Sequence, residues 1–422
     1  MTTSSTNDIY YKIAVFTFVS YIFVEFFGLA IPFQPNIVSV NKIQSSSIAN
    51  QLVYSIIFLA SLISIFPNYK VVINIIKEEK ILTIFLIWCL VSVIWSVDPM
   101  ATFKRFFRIL TLFTVLLSIF SYTDSTDQIL KYIKPVLYLY VFLSVPLSII
   151  LPGAKDGSFH TWRGFADTKN DLGQISVMCI LLSFFIFKNE KGFYNRIFSG
   201  FAVLFSVALL FGSESMTSIS GFLFISIIAF IFVIDNLFKP LGLGRAASTM
   251  IIIFMVGLIV AIILLAPMYV QDIFSVAGKN LTFSGRTELW LAILNDVSKN
   301  PLFGTGFQAF WSLNNPEVIE LYKVFIWLPN EAHNGYLDIL SEVGIIGLGI
   351  FLTMLIRYFK SIRKLYSYHP WKWIIIAALI INLQESTLFI SGKLVGDLLV
   401  LSYLILFVQL KNQKKISLKS DI

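Results

Sequence analysis

"EAHNGYLDILSEVG", residues 331–344, sets a histidine, an asparagine and carboxylates at the mouth of an apolar run that continues to residue 356. A helix needs roughly 20 apolar residues to cross the hydrocarbon core of a bilayer, and this run is long enough. Runs of the same kind recur near 13–31, 48–66, 81–97, 106–121, 133–151, 171–187, 196–212, 216–234, 248–270, 372–390 and 394–410. At 57% hydrophobic and 13% charged residues the chain is too apolar for a soluble domain. It reads as an all-α integral membrane protein of about 12 transmembrane helices, one polytopic membrane domain over residues 1–422.

An even number of spans puts both termini on one side, and the tail "KNQKKISLKSDI" carries four lysines, which predicts the cytoplasm. That orientation leaves 20 of the 32 basic residues inside. The 12 on the disfavoured side are Lys42, Lys104, Arg105, Arg108, Lys155, Arg163, Lys169, Lys279, Arg286, Lys299, Lys323 and Lys393. Cations kept there are candidates for holding something anionic. The net charge of +8 does not imply nucleic acid, because the basic residues form no basic, aromatic-interleaved domain; membrane lipids are the expected partner. Cys89 and Cys179 both fall inside apolar runs, so packing is expected of them rather than a disulfide or a thiolate site. The polar start, Met1 to Tyr11, lacks the basic region and cleavage site of a signal peptide.

Two external connections exceed a turn. The first, 152–170, holds "HTWRGFADTKNDLGQ" and runs into the next helix; the second, 271–335, lies between helices 9 and 10. Within the second, "RTELWLAILNDV" places Leu289, Trp290, Ile293, Leu294 and Val297 at helical spacing, which predicts a helix lying along the membrane surface. "NPLFGTGF" then reads as a glycine-rich turn. Long structured loops in compact proteins are commonly functional.

Arg286, just ahead of that helix, suits bidentate bonding to a phosphate, the reading preferred over a snorkelling contact with lipid headgroups. Trp290 is then a wall for sugar or an interface anchor. Arg163 and Lys169 flank a segment that adds the amide of Asn170 and a possible N-cap in Asp171. Arg105 and Arg108 open an apolar helix after "WSVDP". Glu214 in "GSESMTS" sits among hydroxyls that fit either a sugar or a helix cap. His333, one of three histidines, is a base or a hydrogen-bond partner, with Asn334 beside it. His160, His333 and His369 stand far apart and no Asp-x-Asp pair occurs, so no metal site and no cofactor is expected. Cations of the chain would then stabilise a departing diphosphate. Glu25, Glu214, Glu342, Gln384, Glu385 and Asp397 are polar groups inside predicted spans, where such groups face a cavity or a partner; Glu385 with Lys393 reads as an internal ion pair.

In order along the chain, "IWCLVSVIWSVDPMATFKR", "WRGFADTKNDLGQ", "GSESMTS", "SGRTELW", "NPLFGTGF" and "HNGYLDILSEVGIIGLGIFL" resemble the bacterial O-antigen ligase and polymerase superfamily, in particular its exopolysaccharide polymerase branch. The resemblance covers about residues 80 to 355. It implies a GT-C type glycosyltransferase in the bacterial inner membrane, metal-independent and inverting. Its site would be periplasmic, and its donor a glycan on undecaprenyl diphosphate. By the same similarity Arg286 and His333 are the catalytic pair, Arg163 and Lys169 fall on a basic motif of the earlier loop, and Arg105 and Arg108 match less closely. The acceptor is a second lipid-linked glycan for a polymerase, lipid A core for a ligase, or a protein side chain for an O-oligosaccharyltransferase. A polytopic transporter or flippase is the alternative from another class, but no internal repeat is evident and the cations cluster in outer loops.

Overall fold

A computed structural model describes residues 2–29, 48–156, 161–238, 250, 285–325, 327–365, 369–390 and 392–420. The predicted span 248–270 apart from Met250, residues 271–284 of the long loop with Lys279, and both Lys42 and His160 lie outside the described residues.

Fourteen helices are described. The first nine are α1 (Thr2–Phe27), α2 (Ile48–Ile65), α3 (Tyr69–Glu78), α4 (Lys80–Val91), α5 (Pro99–Phe120), α6 (Thr126–Ile150), α7 (Lys169–Asn189), α8 (Phe193–Gly212) and α9 (Met216–Phe238). The long loop contributes α10 (Arg286–Val297) and α11 (Pro316–Val324), and the chain closes with α12 (Gly335–Ser361), α13 (Trp371–Ile381) and α14 (Leu394–Ser420). Strands β1 (Lys155–Asp156) and β2 (Thr161–Trp162) pair antiparallel within the earlier loop. Among the described residues, eight helical stretches are long and apolar enough to cross a membrane. Of the other predicted spans, α4 and α13 are shorter apolar helices, and α5 carries Lys104, Arg105 and Arg108 near its start.

The helices pack as neighbours in a bundle: α7 on α8, α1 on α2, α5 and α6, α4 on α12, α9 on α13, and α13 on α14. One continuous apolar core runs through them, and α14 is its most enclosed member, with 83% of its spanning window buried. The long loop has a small core of its own, built from Leu289, Ile293, Phe310, Trp311, Val318 and Leu321.

Two findings depart from the sequence expectations. The predicted span 372–390 is broken, since α13 ends at Ile381 and residues 382–390 continue as irregular chain. The buried Asn382 causes the turn. Its Oδ1 accepts from the amides of Thr387 (2.8 Å) and Leu388 (3.1 Å), and its Nδ2 donates to Thr387 Oγ1 at 2.6 Å. Backbone groups that leave a helix inside apolar protein need such partners, and here one amide side chain serves three, the amides of Thr387 and Leu388 and, at 2.7 Å from its Nδ2, the carbonyl of Ala378. The second departure concerns α10, which packs Leu289 and Ile293 into the loop's own core while Leu291 and Leu294 stay exposed. Leu294 is therefore not part of the buried face.

The glycine-rich turn is present and has a structural use. Residues 301–306 lie against α12 where Gly344 takes φ 69°, interrupting the helix. Thr305 N and Gly306 N donate to the carbonyls of Ser341 and Glu342, and Ile345 N donates to Pro301 O. Tryptophans fix this junction from α4 and the turn that follows it: Trp88 Nε1 donates to Val343 O and Trp95 Nε1 to Phe303 O. The described residues of the connections 95–108, 152–156, 161–171, 213–217, 285–325, 327–335, 382–390 and 392–393 are gathered at one end of the bundle, linked by contacts such as Val97 N to Thr305 O, Thr217 Oγ1 to Glu385 and Lys393 to Asp171.

Candidate active site

The helix that follows His333 begins at a strong cap. Asn334 Oδ1 accepts from the amides of Tyr336 and Leu337, both at 3.1 Å, satisfying donors that the first turn leaves open. Asn334 N donates to Ser386 Oγ at 3.1 Å, and Gly335 N lies 3.0 Å from both Asn382 O and Glu385 O. The start of α12 is therefore stitched to the turn after α13. Upstream, the buried Asp338 carboxylate accepts from Trp311 Nε1 (2.8 Å) and Ala332 N (3.1 Å), while Ala332 O accepts from Trp290 Nε1 at 2.7 Å. Ala332 is held from two sides. Its neighbours Glu331 and His333 project from that fixed point, His333 at φ 49°, in the left-handed region.

Four charged groups converge there. Arg286 Nη1 donates to Gln384 O, and Nη2 stands 3.3 Å from Glu385 Oε1, which also accepts from Thr217 Oγ1 at 2.9 Å. The other Glu385 oxygen is 3.5 Å from His333 Nδ1, and Glu331 Oε1 is 3.0 Å from the same nitrogen. Neither oxygen lies along the line of an Nδ1–H bond, so the imidazole is held by charge between two carboxylates. Burial by itself lowers the His333 pKa, but close contact with Glu331 and Glu385 outweighs it and raises the value to about 9. At neutral pH His333 is an imidazolium. The sequence distance between histidines gave no metal site, yet the fold brings Glu331, His333 and Glu385 ligand atoms within 4.8 Å of one another. In this structure Arg286 and His333 supply the positive charge beside the two carboxylates.

The remaining sequence candidates occupy different places. The Arg163 guanidinium donates to Gly153 O at 2.8 and 3.0 Å and to Asp167 O at 3.3 Å, clasping its own loop. Lys169 begins α7, its amide donating to Asp156 Oδ2 at 2.8 Å, and Asn170 follows, half-buried. Thr168 rather than Asp171 is the cap of that helix. Asp171 instead pairs with Lys393, so the expected Glu385–Lys393 pair is replaced by Asp171–Lys393 and Arg286–Glu385. Glu214 is exposed at φ 50° in the turn between α8 and α9. Trp290 staples the loop through its indole nitrogen. Arg105 donates to Gln308 O, whose side chain reaches Phe389 O, and Arg108 lies over the Tyr54 ring at 4.3 Å beside Glu25. Arg105 thus reaches Phe389 through Gln308, and Arg108 lies beside Gly392.

Sequence reasoning passed over Glu385, Glu331 and Thr217 as site members. The one legible signal was a carboxylate, Glu385, inside an apolar run. Its connection to Arg286 spans 99 residues and no spacing rule reaches that far. The two free thiols, Cys89 and Cys179, are buried as expected.

Residues 201–352 match the protein family described as O-antigen ligase, Wzy_C. A Rickettsia typhi protein whose name, polysaccharide ligase, is itself provisional is 25% identical over 304 residues, 69% of this chain and 70% of that one. The exopolysaccharide production protein ExoQ of Rhizobium meliloti is 29% identical over 224 residues, 50% of this chain and 49% of its own length. A Rickettsia felis protein of the same provisional ligase name is 22% identical over 292 residues, 67% and 68% of the two chains.

Proposed function

We propose, from the match of residues 201–352 to the O-antigen ligase family, that this chain is a GT-C type membrane glycosyltransferase of the bacterial inner membrane. Its termini are cytoplasmic, its site is periplasmic, and it joins glycans carried on undecaprenyl diphosphate. The observation that carries the reading is the convergence of Arg286, Glu385, His333 and Glu331 from three separate parts of the chain.

A guanidinium has five N–H donors in a rigid fork. Gln384 O and Glu385 hold Arg286 in place and leave donors for a phosphate of the carrier. The imidazolium of His333 adds a second positive donor. Both groups favour a state in which negative charge builds on the leaving diphosphate, and preorganised donors of this kind lower a barrier most when they need not reorient. An acceptor hydroxyl attacks the anomeric carbon on the face opposite the diphosphate. The new carbon–oxygen bond forms as the bond to the phosphate oxygen breaks with its electron pair. The hydroxyl proton passes to Glu331, whose side chain is 17% exposed against 2% for Glu385.

Polymerisation of lipid-linked repeat units is the leading form of the reaction, supported by the motif order and by the similarity to ExoQ. Transfer to lipid A core, the ligase form, is favoured by the family description and by the names of the Rickettsia relatives. A deletion strain complemented with wild type or Arg286→Ala tests both. Short single-repeat glycans in the deletion mark a polymerase, and long chains retained on the carrier mark a ligase. A normal glycan ladder from the Arg286→Ala strain would overturn the assignment of the site.

A further inference from the structure

Trp327 stands between α11 and α12, in the loop that presents His333. Its side chain is 43% exposed, and its ring centroid lies 5.8 Å from the His333 imidazole with the planes 34° apart. Phe325 meets it nearly edge-on at 6.1 Å and 70°, and Leu328 N closes the turn onto Phe325 O at 3.1 Å, with Leu328 itself in the left-handed region at φ 50°. An apolar side chain held this way, nearly half exposed beside a cluster of charges, is not placed there by burial. The tryptophans differ in a second respect. Trp88, Trp95, Trp290, Trp311 and Trp371 each donate their indole N–H to a protein acceptor; that of Trp327, like those of Trp162 and Trp373, has none among the described residues, and of these three only Trp327 lies beside His333.

We propose that Trp327 is a sugar-binding platform, stacking its ring on a pyranose of the acceptor glycan while its N–H donates to a hydroxyl. A pyranose offers an apolar C–H face and a rim of hydroxyls. An indole offers an apolar face and one donor, and the two are complementary. Trp290, the tryptophan that the sequence suggested as a sugar wall, is committed to Ala332, and Trp327 takes that position beside the imidazole. The proposal rests on the glycosyltransferase reading, and it specifies which side of His333 the acceptor occupies.

The test uses the full-length protein in nanodiscs with a lipid-diphosphate glycan donor. The acceptor is a soluble oligosaccharide cut from the host's own surface glycan, supplied at varied concentration. Trp327→Ala should raise the acceptor KM about tenfold, the size of one lost aromatic stack, with kcat nearly unchanged, and Trp327→Phe should recover most of the loss. An unchanged KM in Trp327→Ala overturns the platform. So does a fall in kcat alone, or a loss confined to thermal stability and membrane retention, which would make Trp327 an interface anchor. Calorimetric binding of the same oligosaccharide separates the two readings: a wild-type protein that binds it about tenfold tighter than Trp327→Ala but transfers nothing sustains the platform and overturns the transferase.

Discussion

Two arginine–carboxylate clusters lie along residues 382–390 and 392–393 and their neighbours, built from nearly the same residue types. In one, Arg286 meets Glu385 at 3.3 Å, with His333 and Glu331 beyond it. In the other, Arg108 meets Glu25 at 3.5 Å and Tyr54, and Tyr21 donates to Asp397 at 3.0 Å. The second cluster stands on helices α1, α2 and α5 and on the first turn of α14, its partners are phenols, and Glu25 is fully enclosed. The first stands on irregular backbone: a residue at φ 49°, a turn closed by Asn382, and the start of a loop helix. Charge on regular helices, where Tyr54 and Tyr21 bond to part of the cluster and Glu25 Oε2 and Arg108 Nε have no partner among the described residues, ties α1, α2, α5 and α14 together. Charge on strained or irregular chain beside an imidazole is arranged to meet something else.

The contrast can be broken by mutation. Arg286→Ala should lower glycan transfer by about 10²–10³-fold, the usual cost of removing one donor to a developing anion, with a smaller loss of thermal stability than Arg108→Ala because the buried Glu385 keeps Thr217 and His333. Arg108→Ala should do the reverse. It strands the buried Glu25 carboxylate and should cost about 3–5 kcal/mol of stability, read as a fall in Tm and in folded yield, with transfer per folded molecule largely kept. Equal loss of transfer in the two variants, at equal folded yield, would erase the distinction.

A smaller effect is expected at Gly392. Its φ is +82°, and an added Cβ would stand 2.4 Å from Arg108 Nη2. Gly392→Ala should therefore cost about 1–3 kcal/mol, checked by thermal denaturation, because both the backbone and the guanidinium must shift. The pH dependence sharpens the other cluster. His333 titrates at about 9 in the folded protein against an ordinary 6.5, so its charge contribution is complete below 6.5 and is lost as pH rises through 9. Transfer should hold through neutral pH and fall above about 9, by up to about tenfold per unit. A rate that climbs through the same range would make His333 a base. The mildest change is expected from a chelator: transfer should persist in EDTA. Loss restored by added divalent cation would give Glu331, His333 and Glu385 an ion to hold.

Much of the frame was legible in the residues. Apolar runs of spanning length need no tertiary information, because a helix in lipid must satisfy its own backbone, and eight of the described runs are helices long and apolar enough to cross, while 81–97 and 372–390 give shorter apolar helices. The second of these is instructive. "IIIAALIINLQESTLFI" is apolar enough to pass for one span, and only Asn382, by closing a turn on Thr387 and Leu388, ends the helix early. Of the site, Arg286 and His333 were visible as a cation and an imidazole on external connections. Glu385 was visible only as an oddity, and Trp327 not at all.

What the sequence determined by itself is the solvent and the inventory: a multi-pass chain whose charged groups are few enough that each one kept in an apolar setting must have a reason. Which charges meet was decided by tertiary structure alone. The partners of Arg286 and Arg108 lie 99 and 83 residues away, and the choice between lock and site follows from whether packing sets them on regular helices or on a turn. Hydropathy is a local property that survives in a window of twenty residues. Electrostatic pairing is a property of distance in space, which no window contains.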